Sequence, residues 1–379
     1  MSQWRAAAEA RIAEAASADL LRTVTQLSTP QQVQAVINGQ RVINFSSNDY
    51  LGWANDPQHV AWMTEGAQRY GVGSGASHWV VGHTGAHARL EQAIADWLGV
   101  DAVALFATGY LANLASVATL GAQASVHQDR LNHASLLQAG QLAQSSRRFA
   151  HGDPQALEAR LIKTQGLALV VTDGVFSMDG DVAPVGPLSE LCRKYDALLM
   201  VDDAHGFGVL GPQGRGTTAG HAVPLVMGTL GKAIGAGGAF VAGDSTYVEW
   251  IRQFAKPYTY TTALSPALAY VAARAIERLQ AEPEHQARVA QRIEWFKSLC
   301  HAAGITPLPS DSAVQAIVIG DNQAALSVSE GLKRQGLWVS AIRPPTVPAG
   351  TARLRVALSA AHTPADIEAL VAGLAQCLG

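Results

Sequence analysis

The sequence predicts an α/β protein with two parts: a large domain on a mostly parallel, mixed sheet and a smaller C-terminal α/β domain. Three observations predict it. The chain has 379 residues, more than one ordinary core accommodates. Hydrophobic residues make up 48% and charged residues 15%, a composition that can bury large cores and does not read as disordered. From Ala102 onward, short continuous apolar runs alternate with helix-length segments, the pattern of strands covered on both faces.

Each element follows in order. The first two dozen residues read as an amphipathic helix, broken by Ser28, Thr29 and Pro30. Gln34 to Ile37 and Arg41 to Phe45 read as strands joined by an Asn38-Gly39 hairpin turn. Asn48 to Gly52 is a loop, Pro57 to Tyr70 a helix, Gly71 to Gly85 a glycine-rich stretch, and His87 to Leu98 a helix. Buried strands are predicted at Ala102–Phe106, Leu167–Thr172, Ala197–Val201, Leu225–Met227 and Ala239–Val241, with helices at Leu111–Leu120 and around Leu188–Tyr195. Pro266 to Ala303 is helical, interrupted at Pro283. Gln315–Ile319, Trp338–Ile342 and Leu354–Leu358 are later strands, and Pro364–Leu378 closes the chain as a helix. The expected division is 1–45 for the N-terminal helix and short strands, 46–283 for the large domain and 284–379 for the small one.

Bulk charge narrows the function. A formal net charge of -3 and a pI of about 6.5 argue against nucleic acid or an anionic membrane as the main partner. Cys192, Cys300 and Cys377 are widely spaced with no CxxC, as expected of reduced thiols rather than disulfides or a metal site. The Ala-rich start is broken by Arg5, Glu9, Arg11, Glu14, Asp19 and Arg22, unlike a signal peptide. No segment reaches the ~18 charge-free apolar residues of a membrane span. The expected location is cytoplasmic.

Ligands in open α/β sheets bind beyond the carboxyl ends of strands, so the residues after each apolar run carry the chemistry. Ala107-Thr108-Gly109-Tyr110 opens a helix. Glycine there lets backbone N–H groups approach a phosphate, and Tyr110 offers a stacking face; a plain strand-to-helix turn reads equally well. Asp173 to Asp181 and Asp202-Asp203-Ala204-His205-Gly206 follow the next two runs. An Asp at a buried strand end is costly unless it meets a cation. A protonated pyridine nitrogen is such a cation, and its charge makes the ring an electron sink. A helix cap or a metal ligand are the alternatives, although the sequence does not identify the further ligands a metal needs. Lys232 stands in Gly228-Thr229-Leu230-Gly231-Lys232-Ala233-Ile234-Gly235, among small residues with no neighbouring acid. A poorly solvated lysine has a lowered pKa, which suits Schiff-base formation and proton transfer. Thr229 lies within reach of a phosphate. An exposed lysine in a glycine-rich loop is the alternative; a P-loop is excluded because Ala233 follows Lys232. Together these residues meet what an electron-sink cofactor requires.

The strings TLGKAIGAGG, VDDAHGFGVLGPQGRG, FATGYLAN and VFSMDGDVAP resemble the α-oxoamine synthases, pyridoxal-phosphate enzymes of the aspartate-aminotransferase-like fold (fold type I). The resemblance runs from NFSSNDYLG at Asn44 to the closing helix. It implies decarboxylative condensation of an amino acid with an acyl thioester. IRPPTVPAGTARLR from Ile342 to Arg355, supported by DRLNHASL around His133, is most similar to the branch that joins L-alanine to a pimeloyl thioester. The resemblance implies pyridoxal 5'-phosphate held by Lys232, with Asp202 at the pyridine nitrogen, His205 at the phenolic oxygen and His133 stacked on the ring. Gly109 and Tyr110 would flank the cofactor, and Ser177 and Thr229 would complete its polar contacts. Arg355 and Asn48 would meet the amino-acid carboxylate; Arg22 and Thr346 would meet the acyl chain. Arg355 suits a planar two-pronged carboxylate clamp, and Arg353 shares its strand face. The resemblance further implies a homodimer with the site at its interface, Thr261 or Thr262 reaching the neighbour's phosphate, and CoA or acyl carrier protein as the thioester carrier.

Relatives often carry GSGGSRLVSG where this chain has GSGASHWVVGH, which leaves the roles of Ala76, His78, Trp79 and Val81 open. Members of the family that take glycine or serine share the TLGKA-like and DGD-like strings. A non-catalytic partner subunit of the same fold would be expected to lack the lysine, and a metal-dependent hydrolase is the most distant alternative.

Overall fold

A computed structural model describes residues 2–379. Among the described residues, thirteen strands form three sheets. In chain order they are β1 (Gln34–Ile37), β2 (Gln40–Asn44), β3 (Ala102–Phe106), β4 (Ser125–Asp129), β5 (Ser145–Phe149), β6 (Ala168–Asp173), β7 (Leu198–Asp202), β8 (Leu225–Thr229), β9 (Ala239–Gly243), β10 (Val314–Gly320), β11 (Leu337–Trp338), β12 (Ser340–Ile342) and β13 (Ala352–Ala357). The large sheet has seven strands in the order β3-β9-β8-β7-β6-β4-β5. β9 runs antiparallel to both β3 and β8; the other pairs are parallel. This is the mostly parallel, mixed sheet that the apolar runs predict.

Burial explains those runs. Leu199, Met200 and Val201 of β7 and Val170 and Val171 of β6 are fully buried, because helices cover both faces of the sheet. Residues of alternate parity in one strand feed different cores. Val171 and Met200 pack with the helix Gly109–Gly121, whereas Val170, Leu199 and Val201 pack with the helix Val185–Lys194.

The C-terminal part adds the sheet β10-β13-β12, on which the helix Asn322–Arg334 packs, and the helix Pro364–Leu378, which lies against Asn322–Arg334 and Glu284–Ala302, buries Ile367, Leu370 and Leu374. The N-terminal hairpin β1–β2 joins this part of the chain through β11, which runs parallel to β2.

Several expectations need correction. The N-terminal helix covers only Gln3–Ser17 and buries no residue, so it is not amphipathic in use. Alanine propensity and the Arg5–Glu9 and Arg11–Glu14 pairs support it instead, and Trp4 stays 88% exposed. Trp338–Ile342 is not one strand. Val339 separates β11 from β12, and the two pair in different sheets. A π-helical turn, His78–Gly82, interrupts the glycine-rich stretch. β4 and β5 were not anticipated because their sequences, Ser-Val-His-Gln-Asp and Ser-Ser-Arg-Arg-Phe, are polar. The polar side chains of β4 are buried but paired: His127 with Thr164, Gln128 with Ser146. The helices Ser245–Phe254 and Asn322–Arg334 were also missed, although each is announced by a capping aspartate, Asp244 and Asp321. Among the described residues, no helix is long and apolar enough to cross a membrane.

Candidate functional site

The carboxyl ends of β6, β7 and β8 and the start of the helix Gly109–Gly121 line a cleft. Gly109, Tyr110, His133, Ser177, Asp202, His205, Thr229 and Lys232 all line it. An adjoining pocket adds Asn48 and Arg355 beside His133, Ser177, His205 and Lys232. Residues up to 307 positions apart therefore meet, where the small sheet approaches the ends of the parallel strands.

A hydrogen-bonded path runs from Lys232 to Arg355. Lys232 Nζ lies 2.9 Å from His205 Nε2, and His205 Nδ1 lies 2.6 Å from the Tyr50 hydroxyl. Tyr50 donates to Asn48 Oδ1 at 3.2 Å, and Arg355 Nη2 donates to the same oxygen at 3.1 Å. Arg355 Nε donates to the Ser177 carbonyl at 2.6 Å. The directions are mutually consistent for a neutral His205 with its proton on Nδ1. Burial, and then the Lys232 and Arg355 cations, hold its pKa well below the imidazole range. Burial also lowers Lys232 to about 8, against the opposing pull of Asp202 and Asp173.

On the other side of the cleft, Asn113 Nδ2 donates to Asp202 Oδ2 at 2.6 Å, and the Ala204 N–H donates to Oδ1 at 3.0 Å. Asn113 Nδ2 also reaches Ser135 Oγ at 2.9 Å, which lies 2.7 Å from His133 Nδ1. The His133 N–H donates to Asp173 Oδ2 at 3.0 Å. Burial, then the Asp202 charge, pushes Asp173 well above the carboxylate range. Burial also lowers His133.

Asp202 and Asp203 separate as strand alternation requires. Asp202 lines the cleft, while Asp203 turns away and accepts from the Thr217 backbone N–H at 2.7 Å and from its hydroxyl at 2.9 Å. Asp203 sits in a cage of three glycines. A Cβ on Gly174, Gly206 or Gly216 would stand 2.7, 2.1 or 1.8 Å from its carboxylate oxygens. Burial pushes its pKa up to about 7. Those glycines therefore serve the structure around Asp203.

Thr229 Oγ1 donates to the Gly238 carbonyl at 3.2 Å, and the Gly231 N–H points back to it at 3.4 Å. The Tyr110 hydroxyl bonds to Gln138. Arg353 and Arg355 are both buried, and both face the 174–183 turn, Arg353 through an ion pair with Asp179. Arg22 and Thr346 meet each other, Nη2 to Oγ1, at 3.0 Å. They are exposed and outside the main cleft; Thr346 lines a neighbouring groove with Arg130 and Arg148.

Sequence reasoning missed Tyr50, Asn113, Ser135 and the part of Asp173 in the site. Asn113 had a legible signal: it is a polar residue in the helix Gly109–Gly121, otherwise nearly all apolar, one turn past Gly109. Tyr50 had none, because its hydroxyl matters only once β13 and the β7–β8 loop are brought together.

The cleft fits pyridoxal 5'-phosphate. It offers a buried amine of lowered pKa, a buried carboxylate held by two donors, and the N-terminus of a helix. Asn113 Oδ1 and Asp173 Oδ1 are buried there with no protein partner.

Comparison with known proteins agrees with this geometry. Residues 40–374 match the family model "Aminotransferase class I and II". The chain is 48% identical over 375 residues to 8-amino-7-oxononanoate synthase of Pseudomonas putida, covering 97% of this chain and 96% of that protein. Among solved structures it resembles serine palmitoyltransferase from S. paucimobilis with PLP-myriocin bound (TM-score 0.92, 29% identity, 98% and 96% of the two chains). It also resembles 8-amino-7-oxononanoate synthase from Francisella tularensis (TM-score 0.76, 29% identity, 88% and 97%).

Proposed function

This chain belongs to the class I and II aminotransferase family and, within it, to the 8-amino-7-oxononanoate synthases; we propose that it condenses L-alanine with a pimeloyl thioester, releasing CO2 and giving 8-amino-7-oxononanoate for biotin biosynthesis. Pyridoxal 5'-phosphate is the cofactor. The observation that carries the reading is the path from Lys232 through His205, Tyr50 and Asn48 to Arg355, which faces the Asp202 carboxylate across one cleft.

When bound, pyridoxal phosphate supplies an electron sink for negative charge at the substrate Cα. Lys232 would hold it, and Asp202, oriented by Asn113, would keep its ring nitrogen protonated. His133 would lie against the ring and His205 would meet the phenolic oxygen. Gly109, Tyr110, Ser177 and Thr229 would make the remaining contacts, Thr229 near the phosphate.

Arg355, aimed by Asn48 and the Ser177 carbonyl, grips the alanine carboxylate and so presents the Cα–H bond to Lys232. Lys232 Nζ takes the Cα proton, which a depressed pKa near neutrality favours. Cα then bonds to the acyl carbonyl carbon as the thiolate leaves. Arg355 releases the carboxylate as CO2, and Lys232 returns a proton to Cα. Arg22 and Thr346 receive the far end of the acyl chain. The active form is a homodimer with the site at its interface, where Thr261 or Thr262 meets the neighbour's phosphate, and acyl carrier protein or CoA carries the thioester.

The test measures visible absorption of the purified protein with pyridoxal phosphate, then product and CO2 release with pimeloyl-CoA and L-alanine, glycine or L-serine. The reading expects a bound-cofactor band that Lys232→Ala lacks, and turnover with alanine. Turnover with glycine or serine but not alanine overturns the substrate. A chain that takes up no cofactor overturns the reaction.

A further inference from the structure

The 174–183 turn carries the Ser177 carbonyl that holds Arg355, and the small sheet pins one side of it. Asp179 pairs with Arg353, the Gly180 carbonyl accepts from Ser310 Oγ at 2.8 Å, and Ser177 accepts from Arg355. A bridge between Val175 and Val182 closes its base. The other side is pinned by a residue that the proposed reaction does not use. His151, just after β5, places Nδ1 3.0 Å from Asp129 Oδ1 and Nε2 2.8 Å from Asp181 Oδ2. A carboxylate oxygen accepts at each end, so both ring nitrogens carry protons and the ring is an imidazolium. Asp129 is buried at the end of β4, where it also accepts from the Leu131 and Gly152 N–H groups at 2.8 and 2.7 Å. Asp181 belongs to the turn, and the Phe176 ring meets the imidazole edge-on at 4.3 Å.

We propose that His151 is a positioning residue for substrate binding: by tying Asp181 of the turn to Asp129 of the large sheet, it fixes the Ser177 carbonyl that aims Arg355 at the amino-acid carboxylate. His151 touches neither the cleft nor Arg355. The Asp129–His151–Asp181 bridge and the Asp179–Arg353 pair hold the turn at two points within four residues of Ser177. The proposal rests on the reading of Arg355 as the carboxylate clamp.

The bridge has a pH signature. Asp129 and Asp181 are the charged groups that face the ring. Burial pulls the imidazole down, but the two carboxylates outweigh it and push the pKa up to about 9. A raised pKa means that the clamp is intact below the ordinary imidazole value and is lost as pH rises through about 9.

The experiment compares steady-state kinetics of the cofactor-loaded wild type with His151→Gln, His151→Arg and Asp181→Asn. In His151→Gln, KM for L-alanine is expected to rise about tenfold, with kcat falling by less than KM rises, since a loosened Arg355 grips the carboxylate less well. The rise of the wild-type alanine KM above pH 9 is expected to be absent from this variant. His151→Arg keeps a cation between the carboxylates and restores the neutral-pH KM. Asp181→Asn breaks the bridge at its outer end and repeats the KM increase, which keeps the test decisive if His151→Gln folds poorly. An alanine KM within about twofold of wild type in both His151→Gln and Asp181→Asn overturns the proposal. A kcat loss without a KM change also overturns it. If the wild type turns over glycine or serine instead, the reading of the substrate fails separately, and the same KM comparison is made with the amino acid it uses.

Discussion

Asn113 shares the holding of Asp202 with the Ala204 N–H, and its one amide nitrogen serves both Asp202 and Ser135. Removing a donor from a buried carboxylate costs about 1.5–3 kcal/mol, so Asn113→Ala is expected to lower kcat/KM by roughly tenfold to a hundredfold with the far-UV circular dichroism unchanged. Lys232 makes a second prediction at this scale. Its amine, lowered to about 8, is protonated in more acidic solution and free in more basic solution. Capture of pyridoxal phosphate by the cofactor-free chain, followed by visible absorption, is therefore expected to accelerate as pH rises through about 8 and then level off. Lys232, Asp202 and His205 were legible in the sequence because each stands just past an apolar run or in a string of small residues. The choice of Asp202 over Asp203 rested on motif position, and the structure supplies the physical difference: one lines the cleft, the other is enclosed by Gly174, Gly206 and Gly216.

Hydrophobic pattern located the elements that are buried on both faces and failed where polarity is local. β6, β7, β8 and β9 were found within one or two residues, because the interior of a covered parallel sheet excludes polar side chains. β4 escaped because its buried His127, Gln128 and Asp129 find partners on other elements, which no local pattern records. β5 escaped because it is an edge strand with Ser145, Ser146, Arg147 and Arg148 exposed. Those arginines give the edge a charge that discourages pairing with another chain. Substituting both, Arg147→Val with Arg148→Val, is expected to produce concentration-dependent light scattering below the unfolding temperature. Scattering equal to that of the wild type would show that the short strand length alone protects the edge.

At the scale of the whole molecule, the site exists because the small sheet closes against the large one at the 174–183 turn. Gly180 is a point of close approach. It has φ +83°, and a Cβ there would lie 2.0 Å from the Val314 carbonyl of β10. Gly180→Ala is expected to lower Tm and raise the alanine KM together, because the same contact holds the fold and places Ser177 beside Arg355. A lower Tm with an unchanged KM would separate the two roles. The order of apolar runs determined by itself that the chain forms a covered, mostly parallel sheet. The small-residue string around Lys232 and the acids after two of the runs determined that an electron-sink cofactor is served at one edge of that sheet. Both are local properties: burial selects apolar side chains, and cofactor approach selects small ones. Only the tertiary structure decided that Tyr50 and Asn48 connect Lys232 to Arg355, that Asn113 and Ser135 support Asp202 and His133, and that His151 clamps the turn behind Arg355. These are hydrogen bonds between side chains far apart in the chain, and their donors and acceptors acquire partners only when the strand ends and the two sheets are brought together.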